Sequence, residues 1–318
     1  MTIKISILII CQNISKLQLA LKDVLALEHE NIEWEVLAGE GNNPSEQRNL
    51  LAQKARGDWL LFLDDDSRPA KNLLMVYKNL IQNKSVLIAG GPSLVEKSPS
   101  TIGVLSQVFF SSMWGIGPYL SRYNCLGETR ESNERELILC NMLVHKEFFL
   151  RQGGFCRDLY PNEENEFIKR VRSERHIFYT PEAVVMRPAR VNLRAFSEQL
   201  LSYGKGRFKN IYLKKNFGDY IFVAPAFFSL YLISCPFLIF YSQWALMLPL
   251  LIYFLLTFYA GISRIREFGL LAFFTPLFFG VGHFSYGIGI WKGFFEYAIL
   301  QKNLKLNEAS FVNVHQLK

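Results

Sequence analysis

Cysteine is scarce in this sequence, and its few cysteines lack the spacing of a metal site or a disulfide framework. The 318 residues include five cysteines. They are Cys11, Cys125, Cys140, Cys156 and Cys235. The odd count and the absence of a C-x-x-C pair argue against a zinc site and against paired disulfides. We therefore expect reduced thiols, which are typical of the cytosol.

Charge is missing from a long stretch in the second half of the chain. No charged residue lies between Tyr220 and Ala260, and Phe268–Trp291 has only His283 as an ionisable group. Because a helix needs about 20 apolar residues to cross a bilayer, this composition indicates membrane spans behind a soluble N-terminal domain. The spans are expected near residues 220–240, 244–261 and 269–290.

Two topologies remain open for this membrane region, which we place at residues 217–292. Three crossings would put the tail, residues 293–318, outside the cell, whereas its polar and basic composition suits the cytoplasm. Either the glycine-rich third segment is re-entrant, or the tail is translocated. The apolar run Ile5–Ile10 is too short for a signal peptide, so we expect the N-terminal domain in the cytoplasm of a multi-pass protein of the cell membrane.

Acidic residues are nearly absent from the segment that precedes the first span. Residues 191–216 contain one acid, Glu198, and six basic residues: Arg194, Lys205, Arg207, Lys209, Lys214 and Lys215. The apolar side chains between them predict an amphipathic helix at the cytoplasmic membrane surface, next to anionic lipid. A span follows directly, so a nucleic-acid partner is not expected.

Three consecutive carboxylates, Asp64, Asp65 and Asp66, follow the apolar run Trp59–Leu63. The run has the length and composition that predict a buried, parallel strand. Three adjacent negative charges need either a bound cation or full solvation. Ligands of open α/β sheets bind beyond the carboxyl ends of the strands, and Mg²⁺ and Mn²⁺ favour a few carboxylates with phosphate oxygens. This position therefore favours a metal–phosphate site over a solvated acidic turn.

Residues 1–190 show alternating strand and helix patterns. Parallel strands joined by helices predict right-handed crossovers and a doubly wound, mostly parallel α/β sheet. The segment 101–135 lacks a clear period. Strands are predicted at Lys4–Cys11, Glu33–Ala38, Trp59–Leu63, Ser85–Gly90, Glu136–His145, His176–Tyr179 and Ala183–Met186. Helices are predicted at Leu17–Leu27, Ser45–Ala55 (with Ser45 as its cap), Lys71–Asn83, Lys146–Arg151 and Asn192–Asn216, and a further helix is predicted within Asp158–Arg172.

A second acidic group, Glu163, Glu164 and Glu166, begins the predicted helix within Asp158–Arg172. Acids at a helix N-terminus are stabilised by the helix dipole, so a purely structural role is one interpretation. The other is catalytic: a carboxylate can accept the proton of an attacking hydroxyl group.

With these motifs in this order, the sequence resembles the family 2 glycosyltransferases, which are inverting enzymes with the GT-A fold that use nucleotide sugars. The resemblance covers about residues 3–190 and continues through Tyr203-Gly204-Lys205-Gly206-Arg207 into the spans. This longer pattern resembles the membrane-bound transferases of exopolysaccharide assembly, of the succinoglycan glucosyltransferase type. The Q-x-x-R-W motif of processive synthases is not matched, which argues against a processive polymerase.

The resemblance implies roles for individual residues on the donor side. Asp64 and Asp66 correspond to the family's D-x-D position, which holds Mg²⁺ or Mn²⁺ on the diphosphate of the donor, and Asp65 lies with them. Glu40 stands where the family usually has an aspartate that contacts the base. The donor-binding set is completed by Arg48 and Asn49, which match a pair beside the nucleotide, and by Cys11 and Asn13 after the first strand.

The resemblance also implies roles on the acceptor side. Glu163 and Glu164 match an E-D pair whose second acid is the catalytic base, so Glu164 is the main candidate. Lys205 and Arg207 are candidates to hold the diphosphate of a lipid-linked acceptor, and a simple headgroup contact is the alternative.

The function expected from these observations is transfer of a sugar from a nucleotide-sugar donor to a saccharide on a polyprenyl diphosphate, in polysaccharide biosynthesis. One alternative is a polyprenyl-phosphate sugar transferase. Another is an inactive sugar-binding subunit of a membrane assembly complex, which the intact acidic groups argue against.

Overall fold

The computed structural model describes residues 2–214, 221–241, 243–301 and 312–318, and these form two compact units. The first unit comprises residues 2–95, 118–187 and 312–318, and the second comprises residues 96–117 and 188–301. The segment without a clear period is divided between them. Lys215 and Asn216 of the predicted basic helix, residues 217–220 and 242 of the predicted membrane region and residues 302–311 of the predicted tail lie outside the described residues.

The first unit contains an eight-stranded sheet and a three-stranded sheet. The strand order is β11-β2-β1-β3-β8-β5-β9-β7 in the larger and β4-β10-β6 in the smaller. The strands are β1 (Ile3–Cys11), β2 (Ile32–Gly41), β3 (Trp59–Asp64), β4 (Arg68–Pro69), β5 (Ile88–Gly90), β6 (Ser93–Val95), β7 (Arg130–Glu131), β8 (Met142–His145), β9 (Ile177–Tyr179), β10 (Val185–Arg187) and β11 (Val312–Gln316).

The predicted α/β fold is confirmed, and the sheet is mixed where mostly parallel strands were predicted. Strands β2, β1 and β3 are parallel neighbours, as the alternating pattern predicted. Strand β8 is antiparallel to both β3 and β5, and β11 is antiparallel to β2. Antiparallel strands therefore extend a parallel centre on both sides.

The apolar residues of β1 contribute to two cores, one on each face of the sheet. Ile5, Ile7 and Ile9 belong to one core cluster, and Leu8 and Ile10 belong to the other. Because successive side chains of a strand point to opposite faces, a continuous apolar run fits a sheet that is covered on both sides.

Helices cover the sheet and form most of the second unit. They are α1 (Gln18–Leu25), α2 (Pro44–Lys54), α3 (Leu73–Asn83), α4 (Thr101–Phe110), α5 (Met113–Ile116), α6 (Lys146–Arg151), α7 (Glu163–Arg170), α8 (Leu193–Lys214), α9 (Ala224–Phe240), α10 (Leu248–Ile262), α11 (Ile265–Phe268) and α12 (Thr275–Gly293).

Two local predictions were wrong. The side chain that caps α2 is Asn43, whose Oδ1 accepts a hydrogen bond from the backbone N–H of Glu46 at 3.3 Å; Ser45 instead donates to the carbonyl oxygen of Leu159 at 3.1 Å. The strand predicted over Glu136–His145 is confined to β8, because Leu139–Asn141 forms a turn of 3₁₀ helix before it.

Three helical segments of the second unit are long and apolar enough to cross a membrane: Ile221–Phe240, Trp244–Ile262 and Ile265–Ile299. They agree with the three predicted spans. The third segment is interrupted after α11 by Gly269, whose φ is +60°, in the left-handed region that favours glycine.

Candidate active site

The carboxyl ends of the three parallel strands bring the predicted donor residues together. Cys11 at the end of β1 is opposite Glu40 of β2, and Ile10 is opposite Asp64, the last residue of β3. The turn after β3 is closed by Ser67, which is fully buried. Its Oγ accepts a hydrogen bond from the Asp64 N–H at 3.0 Å, and its own N–H donates to the Asp64 carbonyl at 3.0 Å.

Arg48 connects the strand-end aspartates to the acidic helix. One guanidinium nitrogen is 2.6 Å from Asp64 Oδ1, and another is 2.6 Å from Glu163 Oε1. The Arg48 side chain is only 3% exposed, so both contacts are shielded from water. Burial alone would lower the pKa of Arg48, but the two carboxylates raise it above its usual value. Helix α2, strand β3 and helix α7 therefore meet at one charged group.

Arg187 of β10 occupies the other side of the aspartates. Its Nε and one terminal nitrogen lie 2.8 and 3.0 Å from the two oxygens of Asp66. A terminal nitrogen is also 3.6 Å from Asp64 Oδ2. This bidentate geometry is the strong form of an arginine–carboxylate contact. The sequence did not indicate Arg187, because its partner lies 121 positions away.

The charge balance of this site fits a divalent cation. Three carboxyl groups, those of Asp64, Asp65 and Asp66, lie near two guanidinium groups, those of Arg48 and Arg187. Burial raises the pKa of Asp65, and the adjacent Asp66 and Asp64 raise it further, which marks excess negative charge. A carboxylate oxygen that accepts one hydrogen bond retains a further acceptor position. Within the described residues, however, no three His, Cys, Asp or Glu side chains form a complete metal site, so phosphate oxygens would have to supply further ligands.

The acids of α7 are buried and paired. Glu163 is 1% exposed and Glu164 is 7% exposed. Burial raises the pKa of Glu163 to about 8 against the lowering effect of Arg48, and Glu164 raises it further. Glu166 is paired with Arg170 at 3.0 Å. These acids are therefore buried and paired as well as placed at the start of a helix.

Glu164 is held by a side-chain network that the sequence did not indicate. Its Oε1 accepts hydrogen bonds from Arg122 at 3.2 Å and from Asn165 Nδ2 at 3.0 Å. Arg122 also donates to Asn165 Oδ1 at 2.6 Å and to the carbonyl oxygen of Glu134. The network fixes the direction of one carboxylate oxygen, Oε1, by two donors.

The remaining donor candidates have local partners. Glu40 Oε1 accepts from the backbone N–H of Ile14 at 3.1 Å, and Glu40 Oε2 lies 3.5 Å from His315 Nε2 of β11. Burial raises the pKa of Cys11 to about 11, with smaller contributions from Asp65 and Glu40, so its thiol is neutral. Cys11 and Glu40 thus border the strand ends.

Asn13 and Asn49 have structural hydrogen bonds. Asn13 Oδ1 accepts from the backbone N–H of Ser15 at 2.9 Å. The Asn49 amide binds the backbone of Phe155 in both directions, at 2.8 and 2.9 Å. These contacts stabilise the loops after β1 and before α7.

Lys205 and Arg207 belong to the second unit, on α8. Lys205 Nζ is 2.6 Å from Glu296 Oε2. Arg207 is 3% exposed, and its guanidinium lies 4.3 Å from the centroid of the Phe222 ring. Both cationic groups therefore have partners within their own unit.

The mixed α/β sheet with acidic residues at its strand ends is the fold of the GT-A glycosyltransferases. Residues 7–143 match the model of the family described as Glycosyl transferase family 2. Over these residues, which make up less than half of the chain, the sequence is similar to the domain of that family. No curated protein matches the sequence.

Two solved structures are similar to this chain, and the first of them supports the fold. The mannosyltransferase PcManGT from Pyrobaculum calidifontis, in complex with GDP-Man and Mn²⁺, aligns with a TM-score of 0.51 at 11% identity, over 92% of this chain and 87% of that chain. TarS 1–349 from S. aureus, in complex with UDP-GlcNAc, aligns with a TM-score of 0.42 at 11% identity, over 64% of this chain. The chain spans 66% of that TarS fragment and 38% of a longer TarS chain.

Proposed function

We propose that this protein is a membrane-anchored inverting glycosyltransferase of the exopolysaccharide type. It would move a sugar from a nucleotide-sugar donor to a saccharide on a polyprenyl diphosphate, in polysaccharide biosynthesis. Its catalytic domain would face the cytoplasm from the cell membrane. The observation that carries the proposal is Arg48, which contacts both Asp64 and Glu163 at 2.6 Å. Two acidic groups that are far apart in sequence thus share one site.

The strand-end aspartates are the proposed donor side. Asp64 and Asp66 would hold Mg²⁺ or Mn²⁺, Asp65 would lie beside the donor, and Glu40, Arg48, Asn49, Cys11 and Asn13 would border the nucleotide. The excess of carboxyl groups over guanidinium groups supports a cation there, and the PcManGT neighbour was solved with Mn²⁺ and a nucleotide sugar. A bound divalent cation neutralises negative charge on a departing diphosphate.

Glu164 is the proposed base on the acceptor side. The acceptor hydroxyl oxygen would attack the anomeric carbon and its proton would pass to Glu164, while the bond from that carbon to the diphosphate oxygen breaks and its electron pair leaves with the diphosphate. Attack opposite the leaving group inverts the anomeric centre. Arg122 and Asn165 position Glu164, because both donate hydrogen bonds to its Oε1. Glu163, which accepts a hydrogen bond from Arg48, is the alternative base.

A lipid-linked acceptor is supported by the second unit. Three apolar segments and the basic helix α8 would confine the enzyme to the plane in which a polyprenyl diphosphate lies. Lys205 and Arg207 would approach that diphosphate only by exchanging the contacts they now make with Glu296 and Phe222. Arginine and lysine heads at headgroup depth are suited to bind phosphate.

Radiolabelled transfer tests this proposal. Membranes that contain the protein are incubated with a panel of nucleotide sugars, Mg²⁺ or Mn²⁺ and a membrane lipid extract, and the lipid fraction is analysed. We expect label from one donor on an oligosaccharide diphosphate lipid. Label on a polyprenyl monophosphate alone would favour the alternative transferase. Neither transfer nor donor hydrolysis, from a protein that binds donor, would favour the inactive subunit.

A further inference from the structure

The C-terminal strand limits how many times the chain can cross a membrane. Strand β11 pairs with β2 in continuous antiparallel register, from Val312 opposite Gly41 to Gln316 opposite Leu37. A hydrogen-bonded sheet lies on one side of a bilayer, so residues 312–318 must be on the side of the N-terminal strands. The sequence between 302 and 311 is polar, with two lysines and a glutamate, and cannot itself cross. The number of crossings between β2 and β11 is therefore even.

Helices α9 and α10 form an antiparallel hairpin that can supply two crossings. The Tyr231 hydroxyl donates to the carbonyl oxygen of Leu246 at 2.8 Å, and the rings of Phe228 and Tyr253 have centroids 4.6 Å apart. These pairs place the tip near Gln243. The base of the hairpin consists of the first turns of α9 and the last turns of α10.

Helix α12 lies across the base of this hairpin. Near one end of α12, Thr275 Oγ1 donates to the carbonyl of Thr257 at 2.9 Å. Near the other end, Trp291 Nε1 donates to the carbonyl of Ala226 at 3.0 Å. Between them, His283 Nδ1 is 2.8 Å from the Tyr253 hydroxyl. Both ends of α12 thus contact the same end of the hairpin.

The rise per residue of an α-helix gives the depth of each contact along the axis of the hairpin. Measured from the Phe228–Tyr253 pair toward the base, Ala226 lies about 3 Å and Thr257 about 6 Å along the helix axes, at about 1.5 Å per residue. The helix between Thr275 and Trp291 is about 24 Å long. The two ends of α12 therefore lie at nearly the same depth along the hairpin axes, although they are about 24 Å apart. This is the geometry of a helix that lies in the membrane plane and does not cross it.

The packing of α8 against α12 leads independently to the same orientation. The pairs Phe196–Phe278, with ring centroids 4.4 Å apart, and Leu201–Gly289 show that the two helices run side by side in the same direction. A methyl group added at Gly289 would lie 2.1 Å from the Leu201 carbonyl oxygen. Two helices in such close contact either both cross or both stay in the plane. Helix α8 carries the basic residues Arg194, Lys205, Arg207 and Lys209, which are too costly for a crossing helix.

We infer that the α9–α10 hairpin is the crossing element, and that α8 and α12 form a platform embedded in the phospholipid headgroup region on the same side of the membrane as the N-terminal strands. This inference rests on the membrane anchoring in the proposed function. Arg194 of α8, whose side chain is 89% exposed, would contact anionic headgroups. Leu270, Leu277 and Phe295, which are 77%, 72% and 54% exposed, would contact the adjoining acyl chains. The third apolar segment then does not cross, and the tail returns to the sheet.

Thiol labelling of the full-length protein in intact cells tests this topology. Gln243→Cys, Gln316→Cys and Arg266→Cys are each treated with a membrane-impermeant maleimide before and after permeabilisation. Wild type, with its five native cysteines, sets the background. We expect Gln243→Cys to label in intact cells, and the other two to label only after permeabilisation.

Two labelling results would overturn the inference. Gln316→Cys labelled from outside as strongly as Gln243→Cys would mean three crossings. Protection of Gln243→Cys in intact cells would mean that the hairpin does not cross. Extraction of the same membranes with alkaline carbonate tests the proposed membrane anchoring separately from the number of crossings. Release of the protein would contradict membrane anchoring as a whole. Retention of the protein, together with labelling of Gln316→Cys from outside, would contradict only the two-crossing topology.

Discussion

The two units hold their elements together by different means. In the sheet unit, buried arginines join separate elements. Arg48 connects the carboxylates of Asp64 and Glu163, and Arg122 binds the carboxylate of Glu164 and the backbone carbonyl of Glu134. In the helical unit, glycines such as Gly204 and Gly289 let one helix backbone approach another, with carbonyl oxygens 2.1 Å from where a methyl group would lie. Substitutions in the first unit should therefore change chemistry, and substitutions at the helix contacts should change packing.

The largest effect is expected at the strand-end aspartates. Asp66→Ala removes a proposed cation ligand and the bidentate partner of Arg187, so transfer of radiolabelled sugar should fall to background while circular dichroism remains that of wild type. Asp58→Ala is the matched control, because Asp58 is exposed just before β3 and should keep full activity. Full activity of Asp66→Ala, or of wild type in excess EDTA, would contradict the cation assignment.

A smaller but still large loss is expected at the proposed base. Glu164→Gln keeps the shape of the side chain and removes its basicity, so transfer should fall about 10²–10⁴-fold with donor binding retained. Glu166→Gln, on the same helix and paired with Arg170, is the control and should remain close to wild type. If Glu163→Gln is the inactive variant instead, the base is Glu163; if neither loses activity, the helix acids are structural.

The smallest effect is expected at the contact of α8 with α12, where a substitution changes helix packing and leaves the proposed active site intact. Gly289→Ala drives a methyl group against the Leu201 backbone and should destabilise the detergent-solubilised protein by about 1–3 kcal/mol. Gly280→Ala is the matched control, since a methyl group there meets nothing within 4 Å. It should be neutral or stabilising by up to about 1 kcal/mol. Thermal unfolding measures both, and equal melting temperatures would contradict the close contact of α8 with α12.

The elements of the site were predictable where the signal is local. The apolar run before Asp64 predicted a buried strand with acids at its end, and the acids of α7 stood out as a charged group before Phe167 and Ile168. Arg122 and Arg187 were not predictable, because nothing near them in sequence indicates their carboxylate partners. Strand β11 was not predicted either. Its five residues are mostly polar, and the alternation of apolar and polar residues among them is too weak to indicate pairing with β2.

Hydropathy located the three apolar segments but could not orient them. Composition measures how well a segment tolerates an apolar environment, and α12 tolerates one whether it crosses or lies flat. The orientation of α12 relative to the hairpin depends on contacts with residues that are distant in sequence, such as Thr257 and Ala226. Only the contacts show that the third segment differs from the other two, and it is also the most buried of them, at 44% against 22% and 17%.

The pairing of β11 with β2 also affects the order of folding. During synthesis, the N-terminal strands leave the ribosome before any of the helices of the anchor, and domains generally begin to fold in that order. Until residues 312–316 have been made, β2 presents an open edge whose N–H and C=O groups can pair with another chain. The sheet is therefore completed only after the membrane segments have been made, so a chain interrupted before β11 would carry an aggregation-prone edge on an otherwise formed domain.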